Sequence, residues 1–235
     1  MATSTLSVPQ ANLVSPTSWG SRASIASMVD KIVANYGPHL KMASQNSKIP
    51  VEVLASFIAV ESGGNATAGG SGSLTQGLMQ WNRQYAKNFL EAEKKKGRMT
   101  PEEEAKLKSY GITFDANGNT RTITQADQVK PGLNILIGSI LLGQYADSLY
   151  DGGKFTGQWA VDADNQLRLD RIIAVYNGGA YGDTGKKART GNHPTAFALA
   201  NAVNTTTRTY IAKMLGKNGA MDVASKEVAS KITSL

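Results

Sequence analysis

The sequence predicts a mainly α-helical domain carrying a small inserted segment of helix and β-hairpin. Apolar residues recur at i, i+3, i+4 and i+7 in stretch after stretch, the mark of helices that bury one face. A single short run, 111–124, instead alternates on both sides of an Asn-Gly turn. No internal repeat, P-loop or dinucleotide fingerprint breaks the pattern. With 235 residues, 41% of them hydrophobic, the chain can bury one good core.

Taken in order, residues 1–22 are rich in Ser, Thr and Pro without a period, which predicts an extended arm. A first helix follows on Ile25, Met28, Val29, Ile32 and Val33, and Gly37-Pro38 is expected to end it. A short second helix then carries Leu40 and Met42. The next opens at Pro50 and closes at Gly63-Gly64.

From Asn82 to Lys130 the chain becomes charged, with the run EAEKKKGR at 91–98, and reads as an insertion. Within it Thr100, Pro101 and Glu103 spell a helix start with a capping box. The stretch GITFDANGNTRTIT predicts the hairpin. Asp115, Asn117 and Asn119 have the look of a calcium loop, but the glycine is displaced and Ala126 holds the twelfth position, so no metal is expected.

The core resumes with Leu133, Leu136, Ile137, Ile140 and Leu141 on one helix, closed by Gly152-Gly153. Another spans 165–177, with Leu169, Ile172, Ile173 and Tyr176 on one face. Asp162, Asp164 and Asp183 are distant candidates for a second acid, though Asp162 and Asp164 precede this helix and are expected to cap its start. A Gly- and Lys-rich loop leads to a helix at about 195–204. Thr205 or Thr206 is expected to cap a last core helix bearing Tyr210, Ile211, Met214 and Leu215, and residues 220–235 form a short helical tail.

The totals exclude several chemistries. Zero cysteines remove disulfides and thiolate catalysis, and two histidines make a histidine-rich metal site improbable; no cofactor is expected. The longest apolar run, LNILIGSILL, is too short to span a bilayer. The first residues have neither a basic start nor a continuous apolar stretch, so no signal peptide is expected. A net charge of +7 draws the chain toward polyanions: nucleic acid, a membrane surface or an anionic cell wall.

The chemistry concentrates between Pro50 and Gln80. Leu54, Phe57, Ile58 and Glu61 share one face, so a carboxyl lies at the end of an apolar stripe. Burial and the negative end of the helix dipole both oppose its ionisation and raise its pKa. A general acid working near neutral pH needs that environment.

Five segments, ESGGN at 61–65, QGLMQ at 76–80, NILIG at 134–138, AVYNGG at 174–179 and TRTYIAKML at 207–215, together resemble the lytic transglycosylase catalytic domain of the soluble type, related to goose-type lysozyme. The resemblance covers about 45–80 and 130–216. It implies a lysozyme-like α-helical fold, here 23–219 with 82–130 inserted, and a groove for peptidoglycan glycan strands. By the same resemblance Glu61 is the catalytic acid, Ser62, Met79, Gln80 and Asn177 meet substrate, and Tyr176 supports the glutamate.

The chain has no acidic residue between Glu61 and Glu91, whereas hydrolases of the inverting and common retaining kinds use two carboxylates. A lone glutamate suits the reaction that the resemblance implies, internal transfer that leaves 1,6-anhydro-N-acetylmuramic acid ends. Two alternatives stay open: a lysozyme that uses water, and a non-catalytic basic virion protein of structural or nucleic-acid-binding kind. Nucleic acid is the weaker expectation, since no binding motif accompanies the charge. Without a leader, the expected setting is a phage-encoded wall-cutting protein made in the host cytoplasm, virion-associated or released. Its arm and insertion would then meet other virion proteins.

Overall fold

The computed structural model describes residues 13, 15–70, 72–149, 163–179, 183–190 and 196–235, and among them it is mainly helical with no strand. The lysozyme-like α fold that the resemblance implies is the architecture found.

Helix α1 runs from Arg22 to Ser47, entered through Ser21, whose hydroxyl accepts from the Ser24 amide. It passes straight through Gly37-Pro38, where a break was expected. Proline removes one backbone donor, but packing retains the helix: a Cβ on Gly37 would stand 2.5 Å from Leu235 Cδ2, so the bare glycine lets the C-terminus close against α1. The expected second helix is thus the last turns of α1.

Helix α2, Val51–Ser62, ends on Gly63 in the left-handed conformation, whose amide donates to Ala59 O. Every residue from Val53 to Ala59 is buried. The stripe read from the sequence covers only part of this surface. Helices α1, α10 (Thr205–Leu215) and α11 (Ala220–Glu227) pack around α2, so it behaves as a central helix that is apolar on all sides.

Segment 82–130 contributes the buried Ala86, Leu90, Leu107, Ile112 and Ile123 to the one hydrophobic core. Its helices are α3 (Arg83–Lys95), α4 (Pro101–Ser109) and α5 (Gln125–Gln128), and the Thr100–Glu103 capping box forms on α4. The expected hairpin shrinks to one antiparallel bridge, Phe114–Thr120. Asp115 Oδ1 accepts from the Asn117 and Asn119 amides and tightens the turn, while the Thr120 amide donates to Glu91 Oε1 of α3. Residues 121–124 of the second arm have no regular structure and lead into α5.

Helix α6, Pro131–Leu149, lies between α1 and α7 (Ala163–Gly178), buried along Leu133–Leu142. Beyond α7 come α8 (Asp183–Thr190) and α9 (Ala196–Ala202), both packed on α7. Asn204, not a threonine, caps α10, its side chain accepting from the Thr207 amide at 2.9 Å. Asn204 was hidden by the threonine run that follows it. No described helix is long and apolar enough to cross a membrane. Gly152-Gly153, Asp162, the side chain of Asp164 and arm residues 1–12 lie outside the described residues.

Leu13 and Ser15 join the body, as do the last helices. Leu13 O accepts from the Lys217 amide at 2.7 Å, and the Ser15 amide donates to Lys217 O. Helix α11 buries Met221, Val223 and Ala224 against α1 and α2, and α12 (Ala229–Thr233) completes the chain.

Candidate active site

Glu61 stands in the last turn of α2, above an aromatic cluster. Phe57, one turn back, meets Tyr176 edge-on at 5.0 Å and Tyr210 at 6.4 Å; Tyr145 meets Tyr176 at 6.2 Å. The Tyr210 hydroxyl donates to Glu61 Oε1 at 2.5 Å. Burial pushes the Glu61 carboxyl up to about 7, against the Tyr210 hydrogen bond and the charge of Lys213, which both favour ionisation. Lys213 lies one turn beyond Tyr210 on α10. The group can hold or release a proton near neutrality, as acid–base work requires.

The phenol that supports Glu61 is therefore Tyr210, and the expectation for Tyr176 is corrected. Tyr176 hydrogen-bonds Met79 O instead, pinning the groove segment to α7. The carboxyl lies at the crossing of α2 and α10, where Tyr210 reaches it by hydrogen bond and the Tyr176 phenol of α7 feels its charge. Tyr210 stood in the quoted TRTYIAKML segment, but its helical spacing marked it as a core residue, which by burial it also is.

The other expected site residues divide. Ser62 donates to Ile58 O at 3.0 Å and accepts from the Gly64 amide, so its hydroxyl finishes α2. Met79, expected to line the groove, is fully buried, with its sulfur 2.3 Å from where a Gly138 Cβ would stand. Long, flexible methionine fills such gaps.

Gln80 adopts φ 48°, a left-handed conformation unusual for a side chain that is not glycine. Its Nε2 donates to Ala68 O at 2.9 Å and Gly77 O at 2.7 Å, which hangs the loop after Glu61 from this residue. Asn177 accepts from Thr207 Oγ1 at 3.0 Å and ties α7 to α10. Glu61, Tyr210, Gln80 and Tyr176 thus come together, while Ser62, Met79 and Asn177 hold the frame.

Of the other acids that could assist Glu61, Glu91 and Asp183 lie among the described residues, whereas Asp162 and the side chain of Asp164 do not. Glu91 accepts from Lys87 Nζ at 2.6 Å and from the Thr120 amide; burial opposes its ionisation, but these partners outweigh it and hold its pKa low. Asp183 is exposed at the start of α8. No carboxylate figures among the groups that shift Glu61. Among the described residues no cluster of three or more metal-ligating side chains forms.

Fold and site together define a helical domain with one protonatable carboxyl at the end of a buried helix. Residues 38–109 match the family model of the transglycosylase SLT domain, which supports a lytic transglycosylase domain with peptidoglycan as substrate. The match takes in the end of α1, α2, the Gln76–Gln80 segment, α3 and α4, and stops before α6, α7 and α10. No curated protein matches the chain.

Proposed function

We propose that the protein cleaves the β-1,4 bond between N-acetylmuramic acid and N-acetylglucosamine, with Glu61 as acid and then as base. The observation that carries this reading is the carboxyl itself, poised near 7, held by Tyr210 and without a carboxylate among its electrostatic partners. In the first step C1–O4 breaks, the electron pair going to O4, which takes the Glu61 proton. The muramic C6 hydroxyl then gives its proton to the Glu61 carboxylate as O6 bonds to C1, closing the 1,6-anhydro ring. Glu61 ends protonated and no water is consumed, so no second carboxylate is needed. Gln80, whose Oε1 accepts no hydrogen bond among the described residues, is proposed to meet the glycan.

The test is mass analysis of digested peptidoglycan. Wild type should release anhydro ends and Glu61→Gln should lose on the order of 10²-fold or more in rate. Reducing ends, one water heavier, would make the enzyme a hydrolase, and clearing retained by Glu61→Gln would remove Glu61 from the chemistry. The proposal includes a phage setting, which the charge of +7 suits through the anionic wall; detection of the chain in purified virions tests it.

A further inference from the structure

Residues 74–83 carry Met79 and Gln80, yet this stretch has little hydrogen-bonded structure of its own. One bridge joins Thr75 to Asn82, and the Arg83 amide donates to Leu74 O. Besides the Tyr176 bond to Met79 O and the bonds of Gln76, Gly77 and Gln80 to the loop before it, it is tied by two fully buried amide side chains. Asn134 of α6 accepts from the Met79 amide at 2.8 Å and donates to Gln76 O at 3.1 Å and Gln128 O at 2.7 Å. Gln128 of α5 uses both amide hydrogens, donating to Leu74 O at 3.0 Å and Trp81 O at 2.8 Å, while its Oε1 accepts from Arg83 Nη1 at 3.3 Å.

We propose that Gln128 is a positioning residue of the groove, and that segment 82–130 serves to deliver it. Leu74 and Trp81 stand at the two ends of the turn that contains Gln80, so one side chain staples that turn shut at its neck. The fit is close: a Cβ on Gly77 would stand 2.3 Å from both Asn134 Nδ2 and Gln128 O. Removing the amide leaves the buried Trp81 carbonyl without its donor and takes from Leu74 O one of its two donors, the other being the Arg83 amide, so the neck of the turn loosens. Gln80 then loses one of the constraints that hold its left-handed backbone, those through Met79 remaining. Its bonds to Ala68 O and Gly77 O loosen, and with them the loop that follows Glu61. Glu61 and Tyr210 hydrogen-bond to neither amide. The inference rests on the proposed function for its link to substrate.

The test compares Gln128→Met, which keeps length without donors, and Gln128→Asn, too short to span both carbonyls, with wild type. Amide hydrogen exchange should rise at least tenfold in 74–83 for Gln128→Met, less for Gln128→Asn, and stay unchanged in α2 and α10. On soluble peptidoglycan strands KM should rise about tenfold with kcat little changed, the signature of lost ground-state positioning. The alkaline limb set by Glu61 should not move. Unaltered exchange in 74–83, protection lost equally from every helix, or a fall in kcat at constant KM would each overturn the proposal. Should wild type fail to cleave peptidoglycan, the proposed function falls, while the exchange result still decides the staple.

Discussion

Glu61 shows how one residue is prepared by its surroundings. Burial favours the neutral acid, whereas the Tyr210 hydroxyl and Lys213 favour the anion, and their balance leaves the pKa at about 7. A general acid must be protonated, so the rate should fall as pH rises through about 7. Tyr210→Phe removes a donor that stabilises the anion, which raises the pKa further. Its pH–rate profile should show the alkaline limb moved to higher pH, with a plateau kcat about tenfold lower because the carboxyl loses its orientation. A limb that stays put or moves down would show that the phenol does not hold the catalytic acid. Lys213 escaped notice for a physical reason: its charge acts across the α2–α10 crossing, and linear spacing does not record that crossing.

Among the elements, α6 is the support on which the Gln76–Trp81 segment rests. Gly138 allows the Met79 sulfur to approach its backbone more closely than any Cβ permits, and Asn134, one turn before it, ties the Met79 amide. Gly138→Ala should therefore cost stability through overpacking, about 1–3 kcal/mol, read as a lowered midpoint in urea at unchanged slope. A cost near zero would mean Met79 shifts freely. Local chemistry in the sequence did announce the elements themselves. The capping box at Thr100, the left-handed stop at Gly63 and the apolar spacing of α6 all lie within one or two turns of the residues they govern. Pro38 inside α1 and the unmade hairpin lay beyond such reasoning. Leu235 closes over Gly37 in one, and in the other the outward Thr120 amide is bonded by Glu91 of α3, both contacts coming from distant parts of the chain.

At the scale of the whole molecule, the C-terminal helices belong to the body that supports α2. Asp222 of α11 is buried, meeting Lys226 at 2.5 Å and Arg22 of α1 at 2.6 Å. Burial alone would raise its pKa, but Lys226, Arg22 and the Asn218 amide outweigh that and hold it below the usual range. A lowered carboxylate contributes stability at pH values above its unfolded pKa, lost as pH falls through the folded value. Asp222→Asn should thus melt earlier than wild type at pH 7, with the gap shrinking as pH falls below about 4. A pH-independent gap in thermal scans would assign the loss to packing instead.

The sequence by itself determined the helical class, the position of Glu61 at the end of a buried helix and the absence of acids through residue 90, because periodicity, caps and composition are local properties. Only the tertiary structure decided which phenol holds the acid, why Met79 is buried and not lining, and how segment 82–130 reaches the groove. Tyr210 and Glu61 are 149 positions apart, and Gln128 and Leu74 are 54 apart. Such pairings follow from where helices cross and from which buried polar atoms need partners, neither of which periodicity along the chain records.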